Sequence, residues 1–163
     1  MANKNNLEIE RRFLLKRDPT SEYIFPSISL IKQFYCTSGS RIREKRKYNG
    51  SSLGDPKFIK ADKTTISYGV NEEIEKNLTK AEFKKLLLTA TSYINKKRFV
   101  KRVDGLNWEV DIFTDLSIII AEVELENIHQ KITIPEFVSE NLIMEITGMK
   151  QFSNKSLSLP YKK

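Results

Sequence analysis

"LEIERRFLLK", residues Leu7 to Lys16, is the stretch on which the reading of this chain turns. Taken with a period of two, Glu8, Glu10, Arg12 and Lys16 fall on one side, interrupted by Leu14, while Leu7, Ile9, Phe13 and Leu15 fall on the other. Arg11 is the outlier. Alone, such a segment is an antiparallel strand with one wet face and one core face. It becomes informative when the same face, carrying both signs of charge, recurs along the chain.

It does recur. DPTSEY reads as a turn entering a short helix, with Asp18 or Ser21 as N-cap. Ser29 to Cys36 is strand-like. After the turn TSGS, RIREKRKY sets Arg41, Arg43, Lys45 and Lys47 opposite Ile42 and Tyr48. NGSSLGDP is a loop. Lys57 to Ala61 and Ser67 to Lys76 read as two strands joined by a turn over Asp62 to Thr65. In the second of them Val70 and Ile74 oppose Asn71, Glu73 and Glu75. LTKAEFKKLLLTA is a helix capped by Thr79, with Glu82 completing a capping box and Phe83, Leu86, Leu87 and Ala90 as the apolar stripe.

The second half resumes the alternation. Across Asn95 to Arg102, Lys96 and Arg98 face away from Phe99. NWEVDIF sets Glu109 and Asp111 against Trp108, Val110 and Ile112. AEVELE sets Glu122, Glu124 and Glu126 against Ala121, Val123 and Leu125. Pro135 to Glu140 reads as a short helix, Leu142 to Thr147 as a final strand carrying Glu145, and FSNKSLSL as a closing helix.

With 163 residues, 39% hydrophobic and 30% charged, the chain suits one domain over 1–163, with residues 1–6 as a flexible N-terminal extension. Nothing approaches an apolar membrane span and MANKNN lacks the hydrophobic segment of a secretory signal, so a cytoplasmic location and no membrane partner are expected. Cys36 and His129 are the only residues of their kinds. An internal disulfide and a thiolate metal cluster are therefore excluded, and a histidine-based zinc site or catalytic triad is disfavoured. The net charge of +7 points to a polyanionic partner. Because the bases alternate with apolar residues inside strands, a phosphorylated small molecule fits better than nucleic acid.

Charged faces repeated on strand after strand, with few helices, imply an α+β, mainly β fold. It is a closed antiparallel barrel whose apolar face packs outward against helices and whose bore is charged. So many enclosed charges must pair, bind metal or receive a charged ligand. Arg12, Arg41, Arg43, Lys60, Lys96 and Arg98 supply donors for a phosphate chain. Glu8, Glu10, Asp111, Glu122 and Glu124 would repel that chain. Mg²⁺ or Mn²⁺ resolves the conflict by bridging carboxylates to phosphate oxygens.

In order along the chain, EIERRF (Glu8 to Phe13 within it), RIREK, FIK ending at Lys60, KKRF, WEVDIF, AEVEL and MEITG resemble the motifs of the CYTH superfamily, the triphosphate tunnel metalloenzymes. The resemblance covers nearly the whole chain, and its opening block corresponds to the family's Glu-x-Glu-x-Lys signature. It implies an eight-stranded tunnel binding triphosphate substrates with divalent metal. Glu8, Glu10, Asp111, Glu122 and Glu124 would be the metal carboxylates. Arg12, Arg41, Arg43, Lys60, Lys96, Arg98 and Lys150 would bind phosphate, Lys96 and Glu10 would be catalytic, and Glu73, Glu109 and Glu145 would be supporting acids. Arg12 stands where the signature has lysine, so a planar fork replaces a point charge. Near Val70 to Glu75 either Asn71 and Glu73 or Glu73 and Glu75 would line the tunnel.

Family members include inorganic, thiamine and RNA triphosphatases and class IV adenylate cyclases. The compact chain, without the His-Phe motif of the cyclase branch, resembles the bacterial tripolyphosphatase type. Hydrolysis of inorganic triphosphate is the expected activity. The alternatives are a class IV-type cyclase, a thiamine or RNA 5′-triphosphatase, and a non-catalytic nucleotide or polyphosphate binder. A homodimer is an expectation carried by the resemblance alone.

Overall fold

The two-residue periodicity of the opening stretch is realised as strand β1, Leu7–Leu15, in a computed structural model that describes residues 6–162. The expected extension over residues 1–6 lies outside the described residues except for Asn6. Seven further strands follow: β2 (Ser27–Cys36), β3 (Arg41–Tyr48), β4 (Lys57–Ser67), β5 (Val70–Leu78), β6 (Ala90–Val103), β7 (Leu106–Phe113) and β8 (Ile119–Leu125). They run around a ring in the order β6, β2, β3, β4, β5, β1, β8, β7, and β7 returns to β6. Every pairing in the ring is antiparallel. The expected eight-stranded closed barrel is the architecture observed, and closure leaves the ring without an open edge.

Oil faces outward, as the alternation requires. One external cluster packs Phe13, Trp108, Val110 and Val123 beneath Phe25 and helix α2 (Glu136–Ser139), whose Phe137 meets the Trp108 ring edge-on at 6.3 Å. A second sets Phe34, Ile42 and Phe58 beneath Phe83 of helix α1 (Lys80–Leu87). This helix starts where its sequence says it should. The Thr79 side chain accepts from the Glu82 backbone N–H, and Glu82 reaches back to the Thr79 N–H.

Both irregularities of the opening stretch have causes. Arg11 points outward over the Phe13 ring and pairs with Glu145 at 2.8 Å, on the short strand β9 (Leu142–Glu145). Leu14 points inward, at an end of the bore filled by hydrocarbon. There Ile94, Phe113, Ile120 and Ile146 meet Leu14, Met149, Phe152 and Leu157. The last three come from the closing segment. It is not the single helix expected, but a 3-10 turn (Lys150–Phe152), helix α3 (Asn154–Leu157) and strand β10 (Leu159–Pro160), which pairs with β6 at Ser92 and Tyr93. Ser153 and the small polar residues around it break the helix into these pieces.

β4 corrects the sequence reading. Asp62 to Thr65 is no turn, because the ladder to β5 runs from Phe58 to Ser67 and the chain reverses at Tyr68 and Gly69. Asp and Lys are poor strand formers, but here the partners outweigh propensity. Asp62 takes the Ser40 hydroxyl at 2.5 Å, and the β5 ladder supplies the backbone bonds.

β1 is shared along one edge: β5 holds Leu7 to Ile9 and β9 holds Phe13 to Leu15. Between them the Glu10 N–H donates to Gly69 O and the Arg12 N–H to Thr147 Oγ1, each at 2.9 Å. Gly69, at φ +67°, is required there: a Cβ would stand 3.0 Å from Glu10 O and 3.1 Å from Thr147 Cγ2. Gly69→Ala should therefore lower the unfolding free energy by about 2–3 kcal/mol, against about 1 kcal/mol for Gly105→Ala, whose positive φ lies in open space. Urea denaturation of the two variants checks this, and equal losses would remove the seam contact as the cause.

Candidate functional site

The charged inner faces enclose a cavity of about 410 Å³. Behind the Lys96 and Arg98 that line it lies a carboxylate beyond the reach of water. Asp111 is fully buried on β7, directly across from Arg98 on β6. Its oxygens accept from Lys96 Nζ at 2.5 Å and from Arg98 Nε and Nη2 at 2.7 and 2.8 Å. Burial would raise its pKa, but Arg98 and Lys96 outweigh that and hold it well below the usual carboxylate range. The Lys96 ammonium is weakened by burial and then by Arg98. Arg98 also touches Glu109.

Around this centre the walls alternate in sign. Arg12 donates to Glu122 at 2.9 Å and to the Phe152 carbonyl at 3.0 Å, which ties the closing segment to β1. Arg41 donates to Glu73 at 2.6 Å, and Arg43 to Glu75. Even so, Arg41 Nε, Arg43 Nε and Glu73 Oε2 are buried without a hydrogen-bond partner. Unmatched buried donors are costly, and two on adjacent arginines in one cavity are suited to an anion.

The opposite flank is acidic. Glu10 and Glu124 are cross-strand partners, and Glu8 precedes them on the same face of β1. Lys63 reaches in from β4, its Nζ 2.5 Å from Glu8 Oε2 and 3.4 Å from Glu10 Oε1. The first contact lies off the hydrogen-bonding direction, so Glu8 Oε2 has no aligned donor. Glu124 has no cation within ion-pair distance among the described residues. Burial, then the charge of Glu122, pushes the Glu10 carboxyl up to about 7.

This corner fits a hard divalent cation. Every candidate ligand is a carboxylate oxygen, and the Lys63 ammonium already stands where positive charge is wanted. Among the described residues no three carboxylates converge on one point. An ion bound there would have one or two carboxylate ligands and would need other oxygens to complete its shell.

Of the residues expected at the site, Glu8, Glu10, Arg12, Arg41, Arg43, Lys96, Arg98, Glu109, Glu122, Glu124 and Lys150 line the cavity. Asn71 lines it too, Glu73 stands behind Arg41 and Glu75 behind Arg43, so both alternative pairs lie on the inner face. Three placements are corrected. Lys60 does not line the cavity and pairs with Asp62 at 2.9 Å, since β4 turns the alternate residues Ala61, Lys63 and Thr65 inward. Asp111 has both oxygens taken by Lys96 and Arg98, which leaves none for a metal. Glu145 lies outside the barrel with Arg11. Lys63, Tyr35 and the tail residues Ser153, Asn154 and Lys155 line the cavity without having been expected there. Extending β4 by one more alternation past Ala61 would have found Lys63.

No family model matches the chain, and no curated protein sequence matches it. Solved structures do. A candidate adenylate cyclase from Bacillus halodurans is 15% identical, with a TM-score of 0.52 over 80% of this chain and 96% of that one. The PH1819 protein from Pyrococcus horikoshii is 16% identical, with a TM-score of 0.55 over 82% of each chain. At these identities the likeness is one of fold. The closed eight-stranded antiparallel barrel implied by the sequence motifs is the fold this chain has.

The carboxyl of Glu10 has a stability signature. Its pKa rises from 4.5 to about 7 on folding, so the folded state holds the proton more tightly than the unfolded one. Its contribution is therefore complete below the lower value and is lost as pH rises through the upper, up to about 3 kcal/mol. Urea titrations from pH 5 to 8 should show wild type losing more stability than Glu10→Gln, and parallel curves would contradict the assignment. Asp111→Ala, which strands two buried cations, should cost about 3–5 kcal/mol by the same method.

Proposed function

We propose that this protein is a divalent-metal-dependent triphosphatase that cleaves the terminal phosphoanhydride of inorganic triphosphate. One observation carries the reading: Arg41 and Arg43, whose buried Nε atoms lack hydrogen-bond partners, line a cavity in which Arg12, Lys96 and Arg98 stand with the carboxylates of Glu8, Glu10 and Glu124. A string of phosphates with its cation neutralises both walls together. The choice of inorganic triphosphate rests on the lining. Trp108 and Phe99 turn outward, Phe113 belongs to the apolar end, and Tyr35 is the one aromatic side chain among the described residues lining the cavity. Nothing there offers a base a broad stacking surface.

Phosphoryl transfer of this kind rests on positioning and charge stabilisation. Arg41, Arg43, Arg12 and Arg98 grip phosphate oxygens, Arg98 and Arg12 being held in place by Asp111 and Glu122. The corner formed by Glu8, Glu10 and Glu124 would hold Mg²⁺ or Mn²⁺ through one or two of its carboxylates, and the ion when bound would draw charge from the phosphate oxygens. For orienting the attacking water the site offers Glu10 and Lys96, the second anchored by Asp111. Lys150, exposed at the rim, extends the basic wall. No described helix is long and apolar enough to cross a membrane.

Phosphate release from tripolyphosphate, ATP, thiamine triphosphate and 5′-triphosphorylated RNA with Mg²⁺ or Mn²⁺, beside an assay for cyclic AMP, tests the proposal. Tripolyphosphate should be the best substrate, and release should vanish with chelator. Cyclic AMP as the main product would replace the reading with a cyclase, and tight binding without turnover with a sensor. Arg43→Ala should raise KM about 10- to 100-fold, with the outward-facing Lys32→Ala as the unchanged control. Equal effects would remove the tunnel as the binding site.

A further inference from the structure

The Lys63 ammonium is the one cation among the described residues that stands between Glu8 and Glu10. A divalent ion cannot share that position with it: the ion would be displaced, or the lysine. The lysine has somewhere to go. Its cross-strand partner on β5 is Glu73, whose side chain is 10% exposed and whose Oε2 is buried without a hydrogen-bond partner, while Oε1 accepts from Arg41. The flexible four-carbon stem of a lysine can swing between two such acceptors, which a planar guanidinium fork does far less readily. One acceptor set, on β1, is thus in use, while the Glu73 Oε2 on the intervening strand β5 has no partner.

We infer that Lys63 is a resident cation that holds the metal position in the empty tunnel and is driven by the incoming divalent ion onto Glu73. This rests on the reading that the metal binds in the corner of Glu8, Glu10 and Glu124, and adds a coupling to it. When the ion arrives, the ammonium moves next to Arg41, so the metal brings the phosphate-binding wall a positive charge besides its own. Metal and triphosphate then assist each other, and by reciprocity each strengthens the other's binding to the same degree. In the tunnel without substrate, metal must work against Lys63 and binds weakly.

The test reads metal binding directly. Mn²⁺ is titrated into the substrate-free full chain and followed by electron paramagnetic resonance. Lys63→Gln, which removes the competitor, should bind Mn²⁺ about tenfold more tightly than wild type. Glu73→Gln, which removes the second seat, should bind it more weakly. In wild type labelled with ¹⁵N at lysine, the Lys63 Nζ resonance should move on addition of Mg²⁺, a readout that needs no variant to fold. Wild-type binding that Glu124→Gln weakens but Lys63→Gln does not strengthen, or an unmoved Lys63 resonance, overturns the exchange and leaves the metal site standing. Absence of Mn²⁺ binding in wild type and Lys63→Gln alike overturns the metal reading and this inference with it.

Discussion

A carboxylate sealed away from water must have its charge answered within hydrogen-bond reach, and Asp111 imposes that requirement on the barrel. An unmatched charge at such depth is costly enough that the group would sooner take up a proton. Arg98 meets it with two aligned donors and Lys96 with a third. Since these two are alternate residues of β6, they fix which face of that strand looks inward. Arg98 then reaches Glu109 and Glu122, and Glu122 reaches Arg12, so one buried acid sets the register of charge on four strands.

The same constraint explains why the barrel is turned inside out relative to most small β proteins. A bore filled with hydrocarbon would leave these charges facing water, where exposed pairs contribute little. Turning them inward demands that the outer, apolar face be covered elsewhere. α1, α2 and the segment after β1 do this, through Phe83, Phe137 and Phe25. The helices are scaffold because of where the charges had to go.

Much of this was legible in the sequence, since a period of two survives any context in which one face is charged and the other oily. The strands β1, β3, β7 and β8 and the capped helix α1 could be read directly, as could Glu8, Glu10, Arg41, Arg43 and Glu124 on inner faces. What escaped the reading shares one cause. At Asp62 to Thr65 local propensity favoured a turn, while cross-strand partners far away in sequence decide for a strand, and Lys63 was lost with it. Asp111 and Glu145 show the converse. Each has the right residue type at the right spacing, yet its oxygens are claimed by arginines whose reach no one-dimensional pattern records. The weak amphipathicity of the tail suggested one closing helix, so its pieces and their part in lining the cavity emerge only in three dimensions.

The stopper of Met149, Phe152 and Leu157 makes the bore a blind alley for ions. Hydrocarbon at that end gives a charged molecule no solvation, so whatever enters at the polar mouth must back out through it. For the triphosphate proposed as its guest, arrival and departure would then share one doorway.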